Sequence, residues 1–178
     1  MPTIFTHALM PLAAGVALGS RRIPARLACA GMLAAMLPDA DVVAFKLGID
    51  YAHAFGHRGA SHSLVFALAC GAFAAGGARG LRTSALTAFL FIALSAVSHP
   101  LLDMLTDGGL GVALLWPWSE ARHFAPWRVI EVSPLANRFF SARGVDVLLS
   151  EFRWVWVPVL ALACFTAWLR RSMRVGAT

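Results

Sequence analysis

The fold of this chain can be read from SALTAFLFIALSAVSHPLLDML, Ser84–Leu105. The stretch contains about 20 successive residues, almost all of them apolar. An α-helix needs this length to cross the hydrocarbon core of a bilayer. The last turns nevertheless carry an imidazole, His99, and a carboxylate, Asp103. The stretch therefore predicts a membrane-spanning helix with polar groups at one end.

The composition of the whole chain indicates the same class of protein. Of its 178 residues, 59% are hydrophobic and 13% are charged, and the mean hydropathy is +0.71. Soluble domains carry roughly 25% charged residues, so this chain has too little polar surface to cover a globule in water. We expect an all-α fold, a polytopic membrane helix bundle that forms a single domain over residues 1–178.

Five apolar segments are long enough, or nearly long enough, to span a bilayer. A loop of about 45 residues separates the last two, and its WPWSEARHFAPW motif, Trp116–Trp127, is typical of the membrane interface. The sequence therefore predicts about five transmembrane helices. Their expected bounds are Ile4–Gly19, Leu27–Leu47, Ser63–Ala78, Ser84–Leu105 and Trp154–Leu169.

The basic residues predict the orientation of the bundle. Eight of the 15 Lys and Arg residues, and none of the nine acids, lie between segments one and two, between segments three and four, or after segment five. Short basic loops face the cytoplasm, so we expect the N-terminus outside and the C-terminus inside. Topology thus accounts for the net charge of +6, and we expect no nucleic-acid partner.

Acids and imidazoles gather at the outer ends of the predicted helices. An aspartate within a membrane costs about 2.5–3.5 kcal/mol on insertion scales, and neighbouring carboxylates repel one another. A bound divalent cation removes both costs, and carboxylate with imidazole is an ordinary ligand set for zinc. The residues delivered to this face are His7, Asp39, Asp41, His57, His62, His99, Asp103 and Asp107.

Local spacing refines this picture. His99, Asp103 and Asp107 are spaced i, i+4, i+8, which places them along one helical face. Asp107 is either a further ligand or the cap of the Gly-Gly turn that follows it. The PDAD stretch, residues 38–41, predicts a break in the second helix, since proline removes a backbone donor.

Arg58 lies within GHRGASHS, Gly56–Ser63, and admits two interpretations. Its planar fork matches phosphate or carboxylate, so it is a candidate anion clamp. It is equally well interpreted as an arginine whose head reaches to the lipid headgroups.

Five ordered motifs in this chain resemble the YdjM-type family of bacterial inner-membrane proteins, which are described as membrane-bound metal-dependent hydrolases. The resemblance covers roughly residues 3–135. It implies distant similarity to the zinc-dependent phospholipases C and the single-strand-specific zinc nucleases, which are all-helical. The motifs are THALMPLAAG, LPDAD, HRGASHS, SHPLLDMLTDG and LLWPWS.

The resemblance implies a centre of one or two divalent ions in the inner (cytoplasmic) membrane. Zinc is the first choice, with manganese or magnesium as alternatives. Asp41 is implied as a further ligand or as a residue behind the ligands. The implied ligands are His7, Asp39, His57, His62, His99 and Asp103.

These residues predict metal-assisted hydrolysis at the outer face of the membrane. Asp41 would orient water or act as general base, and Arg58 would bind an anion. A site at the interface favours an amphiphilic, phospholipid-like substrate, cleaved at a phosphoester or another headgroup bond.

Other functions stay open. The protein is alternatively a non-catalytic membrane metal-binding protein or a metal transporter, although the inner halves of the predicted helices carry no acid or histidine. A serine hydrolase using Ser95 or Ser98 with His99 is disfavoured, because adjacent helical residues point about 100° apart. A purely structural role leaves the acids unexplained.

Overall fold

A computed structural model describes residues 1–134 and 139–175, and the chain is all-helical within those ranges. This confirms the predicted fold class. The position where the predicted metal-site core ends, residue 135, lies outside the described residues. The α-helices are α1 Ile4–Leu18, α2 Ala25–Met36, α3 Val43–Lys46, α4 Leu64–Gly76, α5 Ala85–Met104, α6 Ala142–Glu151 and α7 Val157–Val175.

Two pairs of these helices are continuous. The 3₁₀ turn Leu37–Val42 joins α2 to α3, and the π-helical turn Phe152–Trp156 joins α6 to α7. The predicted break at PDAD is therefore a change from α to 3₁₀ geometry, with Pro38 at its start. The described chain thus forms five helical rods, in agreement with the prediction of about five transmembrane helices.

Three rods are long and apolar enough to cross a membrane, namely Ala25–Lys46, Ala85–Met104 and Ala142–Met173. The remaining two, α1 and α4, are apolar but shorter. Length and composition are therefore those of a multi-pass membrane bundle.

The last rod begins earlier than predicted. It starts at Ala142 rather than Trp154, and so takes up the end of the loop that was expected to hold about 45 residues. Hydropathy does not detect α6 because ARGVDVLLSE contains three charged residues. The helix forms because Gly144, Val147 and Glu151 lie on one buried face.

Helix α5 lies at the centre of the bundle. It packs against α4 and α2 and also contacts α1, while α1 packs against α2 and α7. The apolar core between them contains alanines and larger side chains such as Leu27, Phe91 and Ile92. Ser63 and Ser84 cap α4 and α5 by accepting hydrogen bonds from the N–H groups of Phe66 and Thr87, at 3.1 Å each.

The bundle has a basic end, which lies opposite the end that carries the histidines. Two arginine contacts connect the helices at the basic end. Arg26 Nη1 donates to the carbonyl of Gly80 (3.1 Å), which joins the α1–α2 loop to the α4–α5 loop. Arg170 Nη2 donates to the carbonyl of Val16 (3.3 Å), so the end of α7 meets the end of α1. Which end faces the cytoplasm stays a prediction.

The long loop after α5 folds back over the opposite end. Val112 and His123 pair their backbones, and the N–H of Leu64 at the start of α4 donates to the carbonyl of Leu114 (3.0 Å). Arg122 donates to the carbonyls of Tyr51, His53 and His57. The loop therefore holds the segment around GHRGASHS in place.

Close packing of α4 on α5 depends on Gly71. A Cβ at this position would lie 2.8 Å from the carbonyl oxygen of Phe89 and 2.9 Å from the Cβ of Ala93. We predict that Gly71→Ala lowers the free energy of unfolding by about 1–3 kcal/mol, the usual cost of overpacking. Thermal unfolding of the purified protein in detergent measures this.

Gly76→Ala is the matched control, because no atom lies within 4 Å of a Cβ built on Gly76 in the same helix. Alanine is favoured over glycine in helices by about 1 kcal/mol, so this variant should be at least as stable as the natural protein. Equal stability of the two variants would contradict the packing argument.

Candidate metal centre

Three segments bring four ligand side chains to one buried point. Asp39 lies in the 3₁₀ turn after α2, His62 ends the 3₁₀ turn Ala60–His62, and His99 and Asp103 lie one turn apart on α5. All four side chains are buried. Each offers one ligand atom, and these atoms lie within 4.8 Å of one another. The described chain therefore contains a group that could hold a metal ion.

The two imidazoles face each other through nitrogens that cannot both be donors. Nδ1 of His99 donates to the backbone carbonyl of Ala35 (2.7 Å), which leaves Nε2 as the lone-pair nitrogen of the neutral ring. Nδ1 of His62 lies 3.0 Å from the Ser61 hydroxyl, which itself donates to Asp41, and 3.2 Å from Asp41 Oδ2, so it too is the donor nitrogen of its ring. The two Nε2 atoms are only 3.0 Å apart. A proton or a metal ion between the rings is needed to offset the repulsion of the two lone pairs.

The distances around these nitrogens fit a divalent ion. Asp39 Oδ1 lies 3.3 Å from Nε2 of His99, and Asp103 Oδ2 lies 3.4 Å from Nε2 of His62. Ligand atoms of a tetrahedral zinc site are about 3.3 Å apart, given Zn–N bonds of 2.0–2.1 Å. Both oxygens of both aspartates lack a hydrogen-bond partner among the described residues. Buried carboxylate oxygens are normally bonded, so the donor set suits a cation.

His7 lies against this group from α1. Its ring stacks on that of His99, with centroids 3.7 Å apart. Its Nε2 lies 3.7 Å from Asp103 Oδ1 and 3.9 Å from Asp39 Oδ2. Within the described part of the chain, neither ring nitrogen of His7 has a hydrogen-bond partner. The side chain is therefore available as a further ligand.

Asp41 organises the GHRGASHS segment and contributes to a second group that could hold a metal, with His57 and His62. Its Oδ1 lies 2.5 Å from Nδ1 of His57. Its Oδ2 accepts hydrogen bonds from the hydroxyl of Ser61 (2.6 Å) and the backbone N–H of Arg58 (3.1 Å). Both oxygens are thus engaged by the loop, and Asp41 orients two histidines at once.

His62 lies outside the spanning helices and is strongly influenced by its acidic neighbours. Burial by itself lowers the pKa of His62, but the neighbouring carboxylates of Asp103 and Asp41 outweigh burial and raise the pKa to about 9. Without a metal ion the cluster therefore holds a proton at this ring at neutral pH.

Arg58 is buried beside the centre rather than extended towards lipid headgroups. Its Nε lies 3.0 Å from Asp103 Oδ2, while Nη1 and Nη2 donate to the carbonyl of Gly108 (3.0 Å) and the hydroxyl of Thr106 (3.1 Å). The interpretation as an arginine that reaches the headgroups is therefore wrong. Its φ of +62° is unusual for a residue with a side chain, so the backbone is held in this conformation by the surrounding loop.

Two other candidates lie apart from the cluster. Asp107 is 44% exposed, and its Oδ1 accepts from the N–H of Val132 (2.7 Å), so it fastens the long loop instead of joining the ligand groups. The hydroxyls of Ser95 and Ser98 donate to helix carbonyls, those of Phe91 and Ser95. These bonds give no support to a serine nucleophile paired with His99.

The sequence analysis did not predict two polar residues that support the segments carrying the candidate ligands. Glu151 is fully buried and bonds to Thr3 and Thr6 at the start of α1. Thr106 bonds to Arg58 and to the carbonyl of Asp103 (2.7 Å). Neither residue carries a signal in the sequence, because their partners are brought close only by the packing of distant helices.

Comparison with known proteins gives two matches. The sequence model of a family described as YdjM inner membrane protein matches residues 1–174. The chain is also 49% identical over 176 residues to the inner membrane protein YbcI of Escherichia coli (strain K12), an alignment that covers 96% of this chain and 100% of that protein. No solved structure matches the chain.

We predict that the natural protein purifies with a divalent metal and that a double variant, His99→Ala with Asp103→Ala, retains almost none. The double variant removes two of the four converging ligands of the buried group. Elemental analysis of the purified protein measures the metal content. Asp50→Ala with His53→Ala is the matched control, because it removes one acid and one imidazole that are both exposed. Equal metal content in the two double variants would contradict the site.

A second prediction concerns Asp41. Removing the partner that orients a ligating histidine typically weakens metal binding 10- to 100-fold, and Asp41 is such a partner for His62. Asp41→Asn should therefore weaken binding by about that factor, as measured by competition with a chelator of known affinity. Asp50→Asn, at an exposed position, should bind as the natural protein does. Unchanged affinity in Asp41→Asn would show that the ligand histidines do not depend on this carboxylate.

Proposed function

The chain belongs to the YdjM family of inner membrane proteins, and on that premise we propose that it is a membrane-embedded, metal-dependent hydrolase. Its substrate is an amphiphile that presents a phosphoester or another headgroup bond at the outer face of the inner membrane. The motif resemblance implies this chemistry, and the cluster formed by Asp39, His62, His99 and Asp103 supports it.

The observation that carries the proposal is the pair of imidazoles whose Nε2 atoms lie 3.0 Å apart among carboxylates without hydrogen bonds. A divalent ion held by these residues would supply Lewis-acid chemistry and would lower the pKa of a bound water. Zinc suits the mixed nitrogen and oxygen ligands. Asp39, His62, His99 and Asp103 would hold it, with His7 as a further ligand. The group of Asp41, His57 and His62 is a place for a second ion.

A cavity of about 360 Å³ lies next to His57 and Arg58, two residues that contact the candidate metal ligands. Its wall adjoins the cluster at Arg58, whose Nε lies 3.0 Å from Asp103 Oδ2, and most of its other walls are apolar or aromatic. Small-molecule sites have this character, with apolar walls and a few polar groups. We infer that a headgroup enters here. The lining residues are Met1, Phe45, Tyr51, His57, Arg58, Val132 and Ser133.

The surroundings of the cavity suit a substrate that stays partly in lipid. Trp118 and Trp127, on the loop that folds over this end, are 80% and 75% exposed. Tryptophans with exposed rings are typical of the membrane interface. An amphiphile at this depth keeps its chains in the bilayer while its headgroup meets the polar site.

Two side chains of the protein have proposed roles towards this substrate. Arg58 lines the cavity, and its charge offsets that of Asp103 and favours an anionic headgroup nearby. Asp41 acts through the histidines that it orients, since its oxygens already accept bonds from the loop. A direct role of Asp41 as general base would require one of these bonds to open.

The alternative of a metal transporter has less support. A carrier needs polar groups along a path to both faces, whereas the described core beneath the cluster consists of alanine with Ile23, Leu27, Phe91 and Ile92. This packing favours a site that binds and reacts at one end of the bundle.

The test uses the purified full-length protein with two probes, bis(4-nitrophenyl) phosphate and vesicles of phosphatidylglycerol and phosphatidylethanolamine. We expect hydrolysis that is lost on chelation and restored by zinc or manganese. The variant His99→Ala with Asp103→Ala should fall to the background rate, while the exposed control Asp50→Ala with His53→Ala should keep the natural rate.

Three results would contradict the proposal. Metal uptake into vesicles without hydrolysis of either probe would support the transporter. Hydrolysis that resists chelation would indicate chemistry without a metal. Bound metal with neither hydrolysis nor uptake would indicate a metal-binding protein without catalysis.

A further inference from the structure

A carboxylate that the proposed chemistry does not use lies in the last helical rod. Glu151 ends α6, directly before the π-helical turn, and is fully buried. It accepts hydrogen bonds from the backbone N–H and the hydroxyl of Thr3 and from the hydroxyl of Thr6, each at 2.5 Å. Burying an acid within a membrane costs free energy. The three donors offset that cost, which indicates that this carboxylate has a specific structural role.

These bonds hold the first turn of α1. The N-terminal N–H groups of a helix have no acceptor within the helix, and Thr3, at the N-cap, makes no capping bond with its own side chain. Glu151 binds Thr3 from outside the helix and places negative charge at the positive end of its dipole. Nε1 of Trp156 also donates to the hydroxyl of Thr6 (2.6 Å). Glu151, directly before the π-helical turn, and Trp156, at the end of that turn, thus both bond to the first turn of α1.

The residue that follows Thr6 is His7. The other candidate ligand histidines are oriented by bonds of their own, His99 by Ala35 and both His57 and His62 by Asp41. His7 has no such bond among the described residues. Its aim towards Asp39 and Asp103 therefore depends on where the backbone of α1 lies.

We propose that Glu151 is a positioning residue of the metal centre, which fixes the first turn of α1 so that His7 serves as a ligand. The inference rests on the metal centre of the proposed function. The last rod contributes none of the candidate ligands. Through Glu151 it nevertheless sets the position of His7, a candidate ligand on the first rod.

The experiment titrates the full-length protein in detergent with Co²⁺ and records affinity and the visible spectrum, which reports the ligands around the ion. Glu151→Ala is expected to weaken binding about 10- to 100-fold, the usual effect of removing a group behind a ligand, and to give the spectrum of His7→Ala. Arg170→Ala is the matched control, because it removes a contact between the same two rods, the first and the last, at their other end. It should keep the natural affinity and spectrum even if the protein becomes less stable.

A double-mutant cycle separates positioning from general stability. If Glu151 acts through His7, then Glu151→Ala with His7→Ala binds Co²⁺ no more weakly than His7→Ala alone. Additive losses, or natural affinity and spectrum in Glu151→Ala, would overturn the inference. If Glu151→Ala does not fold, the same cycle is carried out with Glu151→Gln. Glutamine keeps one acceptor oxygen, so this variant should lose less Co²⁺ affinity. In the His7→Ala background, Glu151→Gln should cause no further loss.

Failure of the proposed function has a different signature. If the natural protein binds no Co²⁺, the metal centre itself is refuted. If the natural protein binds Co²⁺ and Glu151 proves uncoupled from His7, only the positioning role is lost.

Discussion

The structure depends on two imidazole nitrogens that lie 3.0 Å apart in a buried environment. Each ring has already committed its other nitrogen, that of His99 to a backbone carbonyl and that of His62 to Asp41. The facing lone pairs would repel one another without a positive species between the rings, although the guanidinium of Arg58 already offsets the charge of Asp103. The surrounding helices are arranged to supply these groups, and that arrangement is stable only if a cation or a proton joins them.

Support for this cluster comes from residues behind it. Asp41 holds the GHRGASHS loop and two of its histidines, and Arg58 joins Asp103 to the turn at Thr106 and Gly108. Such outer contacts commonly set the orientation and the affinity of metal ligands. They also explain how Asp41 and Arg58 persist in a chain that is 59% hydrophobic, because both are bonded to other parts of the site.

The two ends of the bundle differ in their polar residues. Basic residues gather at one end, where Arg26 bonds to the α4–α5 loop and Arg170 bonds to the end of α1. The histidines and aspartates gather at the other, beneath a long loop with exposed tryptophans. Between them lies an apolar core centred on α5. In this inner membrane protein of the YdjM family, the residues that could hold a metal ion therefore lie at one end of the bundle.

The sequence alone determined the first four helical rods and the residue types of the site. Runs of about 20 apolar residues have few alternatives in a bilayer, so the first four rods lie close to the predicted bounds. Histidines and aspartates at the ends of those runs could be grouped because each helix end fixes their depth. Hydropathy did not predict α6, because its charged residues lower the mean hydropathy of the segment. This helix buries only one face.

Only the tertiary structure decided which polar residues act together. Asp107 and Glu151 look alike in the sequence as acids near helix ends, yet one fastens an exposed loop and the other is fully buried against Thr3 and Thr6. Arg58 likewise proved to be an internal partner of Asp103. Depth along the membrane normal follows from the order of residues in a helix. Position around the helix axis and contact with distant segments follow from packing, which joins residues as far apart in the chain as Thr3 and Glu151.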